Sequence, residues 1–346
     1  MAAAPNWRRL SGILAAVCRR LLGMALTMAA VSLLVFLVLE LNVEGVATKV
    51  LGQFSTAGQR HAWLLQHGYF DPLPLRYGRW VLDFVTGRWG LSTYYHADVL
   101  QLVAPRLAAS GLLMGAALLV IVPLALGLGV LAGMREGSPL DRGVSVLAIV
   151  TTSFPEFATA VFLSAIFVFW LGWLPGVSTL AGGATLKEFV LPVAVLALSS
   201  TGYIARMTRA SMAEAMGQPY VRTALLKGAS LRRIVFGHAL RNALGAPVTV
   251  IMLQIPWLLS GVIVVEVFFA YPGFGTLLYQ AAVNSDVYLI EACAMVGVIA
   301  VVASQVLSDL INAWLDPRLL AAARHGPVVA APAVDLSAPE RRVAGL

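Results

Sequence analysis

Two carboxylates interrupt otherwise apolar runs. Glu156 lies in Thr151-Thr-Ser-Phe-Pro-Glu-Phe157, and Glu266 opens Glu266-Val-Phe-Phe-Ala-Tyr-Pro-Gly-Phe-Gly275. A carboxylate among apolar residues is costly to bury, so each is a candidate for lining a polar path or an outer gate. Each also has a plain structural use. Glu156 can sit near an interface or be satisfied by a neighbouring helix, and Glu266 can cap or pair at an interface. Tyr271, Pro272 and Gly273 share the second run, where Pro272-Gly273 is a strong turn signal. The densest cationic stretch is the island Arg206–Asn242. It carries Arg206, Arg209, Arg222, Lys227, Arg232, Arg233 and Arg241 between two long apolar segments.

Other chemistries are missing from the residue pattern. A phosphate-binding loop needs glycine directly before its lysine, but Lys49, Lys187 and Lys227 follow Thr48, Leu186 and Leu226. His61, His67, His96, His238 and His325 include no pair at metal-ligand spacing. No Gly-x-Ser-x-Gly elbow occurs, and the acidic residues are scattered rather than paired. The sequence therefore predicts no catalytic, metal or cofactor site on this chain.

Composition says where these residues must be held. Of 346 residues, 59% are hydrophobic and only 12% charged, against about a quarter charged in soluble domains. Windows nearly free of charge fall at 21–39, 107–134, 143–171, 189–205, 242–265 and 292–308. That predicts an all-α integral membrane protein with about six transmembrane helices. The net charge of +7 does not point to nucleic acid, because its placement follows the bilayer. With the N-terminus inside, most of the 24 lysines and arginines fall on inner segments. The outer short loops hold only Lys187, as the positive-inside rule requires.

In order, the chain divides into a basic cytoplasmic arm (1–20), a first span (21–39), an external segment (40–106), a membrane core (107–318) enclosing the loop 206–242, and a tail (319–346) expected to be disordered. The first apolar run is too long for a signal peptide and is read as a retained span. Cys18 and Cys293 read as small apolar fillers rather than a disulfide. Gly127, Gly129 and Gly133 suit close helix packing, Pro123 suggests a kink, and Pro155 suggests a break in the third span. Asp309 lies at the polar end of the last span.

The island has helix punctuation of its own. Pro219 suits a first helical turn, so Tyr220–Lys227 can follow as about two turns. Gly228 suits the left-handed position that ends a helix, and the Ser230 hydroxyl can cap a second helix from Leu231. A basic loop that only fixes topology is the plainer alternative.

The run Tyr220-Val-Arg-Thr-Ala-Leu-Leu-Lys-Gly228-Ala-Ser-Leu-Arg-Arg-Ile234, continuing to His238-Ala-Leu-Arg-Asn-Ala-Leu244, resembles the cytoplasmic "EAA" loop of ABC-importer permeases. It is most similar to the dipeptide/oligopeptide/nickel branch. The family pattern has Glu-Ala-Ala, three residues, then Gly; here Arg222 and Thr223 replace the first two, while Ala224 and Gly228 remain. Asp71-Pro-Leu-Pro74, Arg76-Tyr77, Trp80, Gly90-Leu-Ser92, Trp173-Leu-Pro175, the Glu266–Gly275 run and Leu315-Asp-Pro-Arg318 also match the family.

The resemblance implies a type I ABC importer-like permease fold in a bacterial inner membrane, with both termini cytoplasmic. Tyr220, Val221, Arg222, Thr223, Ala224, Lys227, Gly228, Ser230, Ile234 and His238 would seat in an ATPase subunit. Glu156, Glu266, Tyr271, Pro272 and Gly273 would lie along the translocation path or at its outer gate. The implied partners are a second related permease, two ATPases that bind ATP and magnesium, and an external solute-binding protein. Peptides are the leading cargo, with nickel, glutathione or opine-like solutes as alternatives. A stand-alone secondary transporter or channel is the rival of another class. Glu156, Glu266 and Asp309 are few for the ionisable relay it would need, and no inverted repeat is evident.

Overall fold

A computed structural model describes residues 7–40, 43–52, 54–179 and 185–315. The expected tail 319–346 lies outside these residues, as do the side chains of Cys18, His238 and Asp309.

Among the described residues every regular element is helical, apart from one isolated bridge between Leu91 and Asp98. Its first helix, α1 (Trp7–Glu40), begins inside the expected N-terminal arm. The following segment is not a plain loop: it folds into α2 (Val43–Leu51), α3 (Ala57–Gln66) and α4 (Leu73–Val85). Thr56 and Gln59 form a reciprocal capping box on α3. Next comes α5 (Val99–Gly133), capped by Asp98 and continuous through Pro105 and Pro123.

The expected third span is two helices. α6 (Pro139–Ser153) and α7 (Glu156–Ser164), the latter continuing as a π-helical stretch Ala165–Trp170, meet at 101°. Pro155, extended at φ −62° and ψ 148°, makes the break, because proline disfavours helical backbone in the residue before it. α8 (Leu186–Met216) is longer than its apolar window. The first third of the basic island is therefore not a loop but a continuation of this helix. Its sequence Arg206-Met-Thr-Arg-Ala-Ser-Met-Ala-Glu-Ala-Met216 has no breaker and many good helix formers.

The rest of the island is α9 (Pro219–Leu226), α10 (Leu231–Ile234), a π-helical turn Val235–Ala239 and α11 (Leu240–Ala243). α12 (Gly245–Phe268), α13 (Phe274–Val283) and α14 (Val287–Leu315) follow. Among the described residues, α5, α8 and Val287–Leu307 of α14 are each long and apolar enough to cross a membrane. Three bent pairs raise the total to as many as six if each is one span.

The core lies where α5, α8 and α12 meet. Leu113, Ile121, Leu196, Ile204, Leu258 and Val265 are fully enclosed there. α5 and α8 make the most extensive helix contact, and small residues permit it. A Cβ on Gly133 would lie 2.6 Å from the Arg209 carbonyl oxygen, and one on Gly129 would lie 2.6 Å from that of Ala205. Gly202 brings α8 equally close to Ala148 of α6. Gly127, by contrast, has nothing within 4 Å. Cys293 is buried beside Val99, Leu277 and Leu289, as an apolar filler would be.

This difference predicts opposite effects from one added methyl. Gly133→Ala overpacks the seam and should lower stability by about 1–3 kcal/mol. Gly127→Ala meets no neighbour and should be neutral or stabilising by up to about 1 kcal/mol. Melting of the detergent-solubilised variants checks both.

Candidate functional site

All the predicted residues except Glu156 gather at two places: an exposed knob after α8 and a buried knot between α12 and α13. In the knob, Pro219 is the first residue of α9. Gly228 stands at φ +77°, the left-handed region that L side chains rarely adopt. The Ala229 N–H donates to the Ala224 carbonyl (3.1 Å) and the Gly228 N–H to that of Leu225 (3.0 Å). That pair of bonds is a Schellman stop, and it satisfies carbonyls a helix end otherwise leaves free.

One side of the knob faces inward. Val221 is 2% exposed and Ile234 fully buried, and Val235 and Ala239 pack with Met212 and Ala215 of α8. The other side is open: Arg222, Thr223 and Lys227 are exposed, Tyr220 is half-exposed, and Leu226 is 83% exposed. Ser230 differs from expectation. Its backbone takes the N-cap conformation, but its exposed hydroxyl makes no cap bond. At an open helix start, water can serve those amides instead. The backbone of His238 lies in the π-helical turn.

Beneath the knob is an ion pair that spacing does not reveal. Arg209 on α8 donates Nε to Asp141 Oδ1 (2.8 Å) and Nη2 to Oδ2 (2.7 Å). Asp141 is 3% exposed and also accepts the Gly137 N–H at 2.9 Å. The pair fastens the turn between α5 and α6 to α8. One island cation is thus committed to an internal bidentate contact.

At the knot, Glu266 is fully buried. Its Oε2 accepts the N–H groups of Gly275 (2.7 Å) and Thr276 (3.1 Å), and its Oε1 accepts the Ser110 hydroxyl of α5. Ser110 Oγ in turn accepts the Phe274 N–H at 2.7 Å. The first amides of α13 are therefore served by side chains of α12 and α5 rather than by a residue at its own start. Gly273 must be glycine here, since a Cβ would strike the Glu266 carboxyl group. Tyr271 is buried and donates its hydroxyl to the Ala109 carbonyl at 2.8 Å. Burial, with Glu266 adding to it, pushes this phenol up to about 12, so it remains a donor.

Glu266, Tyr271 and Gly273 thus come together, with Pro272 between them in the chain, and the capping reading of Glu266 is what the geometry supports. Glu156 is not part of this knot. It sits half-buried in the first turn of α7, and its side chain makes no hydrogen bond or ion pair among the described residues.

The external motif residues pack on the same end. Ser92 Oγ donates to buried Asp286 (2.5 Å), which also accepts the Tyr94 N–H (3.2 Å). Trp80 Nε1 donates to Glu291 of α14 at 3.1 Å. Neither acidic partner was evident in the sequence, because each lies about two hundred positions away.

Comparison with known proteins follows this geometry. The family model described as the binding-protein-dependent transport system inner membrane component matches residues 125–321. The chain is 32% identical to the probable peptide ABC transporter permease protein y4tP of Sinorhizobium fredii, over 88% of this chain and 98% of that one. It is 29% identical to the oligopeptide transport system permease protein AppB of Bacillus subtilis, and 31% to the glutathione transport system permease protein GsiC of Shigella flexneri. Coverage is again 88% and 98% in both.

The knot yields a graded expectation. Glu266→Ala leaves the Gly275 and Thr276 amides unpaired, at about 1–3 kcal/mol each. Glu266→Gln keeps an acceptor for them and should fold. Glu266→Ala should also relieve the clash in Gly273→Ala, so the double variant is milder than the sum of the singles. Melting temperatures of the three variants check this. Lost uptake in a normally folded Glu266→Gln protein would mean that transport uses the charge.

Proposed function

The chain belongs to the family of inner-membrane components of binding-protein-dependent transport systems, and from that premise we propose that it forms half of the path by which an ATP-driven importer takes up short peptides. It is a multi-pass, non-catalytic membrane subunit of such a system, which also comprises an ATPase and a binding protein. In this reading a second related permease completes the path and two ATPase subunits supply the force. Both termini and the knob face the cytosol, in keeping with the cations of the island.

The observation that carries the proposal is the knob. α9 is anchored by Val221, stopped by Gly228, and presents Leu225, Leu226, Arg222 and Lys227 outward. An exposed leucine beside cations, on a short rigid helix, is a surface that another protein's groove can hold. A basic loop that merely fixed topology would need no Schellman stop and no buried anchor. Peptide cargo is favoured by the names of two of the relatives above, and the third is named for glutathione, itself a small peptide.

Leu226→Asp tests the docking. Leu226 is almost wholly exposed, so the variant should fold normally, yet recover less ATPase in pull-downs and lose substrate-stimulated hydrolysis. Gly228→Ala separates backbone strain from clash, because a Cβ there meets nothing within 4 Å. The left-handed conformation alone costs about 1–2 kcal/mol, and transport should fall while membrane insertion is retained. Full uptake by both variants would overturn the assignment. Solute transport by the chain reconstituted without an ATPase would favour a stand-alone transporter. For cargo, short peptides should raise the melting temperature of the cognate binding protein; a response only to nickel or an opine-like solute would overturn the peptide reading.

A further inference from the structure

α4 carries three stripes of different character. Tyr77, Trp80 and Phe84, spaced 4 and 3, face the protein: Tyr77 and Trp80 lie against Phe36 of α1, and Phe84 stacks on Trp89 at 5.0 Å. Arg76, Arg79 and Asp83, spaced 3 and 4, form a charged stripe, with Arg79 paired to Asp71 and Asp83 to Arg88. Leu75, Gly78, Leu82 and Val85, spaced 3, 4 and 3, form a second apolar stripe that stays exposed among the described residues. Leu82 is 57% exposed and Val85 76%. At 3.6 residues per turn, the uncovered and packed stripes join into one broad apolar arc, with the charged stripe on the remaining side.

The height of α4 is fixed by α1. The Tyr77 hydroxyl meets Ser32 Oγ at 2.7 Å. The apolar run of α1 extends to Leu39, just before Glu40, so Ser32 lies about 10 Å inside its outer end at 1.5 Å per residue, and Phe36 about 5 Å inside. Leu33, Leu34, Leu37 and Val38 at the same level are exposed, as side chains facing hydrocarbon are. α4 is therefore placed beside the upper part of a span rather than above it. Only one orientation suits this depth: the charged stripe toward water, and the uncovered stripe down and outward, continuous with the exposed leucines of α1.

We infer that α4 is a membrane-seated amphipathic helix, its Leu75–Leu82–Val85 face embedded in the bilayer leaflet at the Glu40 end of α1. Such helices lie in the interface plane with their apolar face sunk into the headgroup–acyl boundary. The ligand of this surface is lipid, and the external segment is thereby held on the membrane while Trp80 and Trp89 hold it on the bundle. The inference uses only the membrane-spanning nature of the chain, so it stands or falls separately from the peptide and coupling assignments.

The test places a nitroxide label at Leu75→Cys, Leu82→Cys, Val85→Cys and, as the water-facing reference, Asp83→Cys. The background carries Cys18→Ala and Cys293→Ala, and the assembled transporter sits in lipid nanodiscs. Relaxation by oxygen, which partitions into lipid, is compared with relaxation by a water-soluble nickel chelate. The oxygen-to-nickel ratio should be several-fold higher at 75, 82 and 85 than at 83. It should stay so when the binding protein is added. A ratio equal to that at 83 would put the face in water and overturn the inference. Low access to both reagents would mean that another protein chain covers it, and loss of oxygen access on adding binding protein would make it a docking face; either outcome also overturns it. Bimane attached at position 82 gives an independent reading: brominated lipid should quench it strongly, and absence of quenching counts against the proposal.

Discussion

A helix that starts within or at the edge of a bilayer has several amide N–H groups with no intrahelical partner and little water to receive them. Much of this chain's side-chain chemistry answers that constraint. At α13 the acceptors are Glu266 and Ser110, drawn from two other helices. At α5 Asp98 serves Leu100 and Gln101, and at α6 Ser138 and Asp141 serve the turn itself. A residue that supplies such an acceptor from elsewhere in the chain does two things at once, because it also fixes where the new helix may begin. The Glu266 carboxylate thereby sets α13 against both α5 and α12.

Periodic and local features were legible in the sequence. The apolar windows gave the spans, Pro155 the break, and Pro219 with Gly228 the limits of α9, because each follows from backbone sterics within a few residues. Of the three α5 glycines that read as packing residues, Gly129 and Gly133 are pressed against a neighbour and Gly127 is not. Pairings between distant residues were not legible. Arg209 reads as one more cation of a basic island until the fold sets it against Asp141, 68 positions earlier. Glu266 reads as a possible gate until Ser110 and the α13 amides are seen around it. In the external segment, aromatics and turn residues interleave and mask the helical 3–4 spacing from Leu75 to Val85.

Charge placement and packing lead to a division of labour along the island. Its first cations extend a helix, one of them is spent on an internal latch, and those from Arg222 onward remain on the surface. The same seven cations would look uniform in a composition count. Their different burial is what turns a basic loop into a shaped protrusion, whose helix and glycine stop form although Arg222 and Thr223 stand where the family's pattern has Glu and Ala.

α8 has a mechanical consequence of its own. Its 31 residues make a single shaft of about 46 Å, ending only two residues before α9. Its one internal proline, Pro192, lies within two turns of the far end. At that far end Ser178 bonds both the Glu188 and Phe269 carbonyls, and the Phe189 ring stands 5.8 Å from that of Tyr271. No proline or glycine break interrupts the helix from Val193 to Met216, and glycine seams press it closely against α5 and α6. Any displacement of Met216 along this axis would therefore have to carry α5 and α6 with it or open the glycine seams.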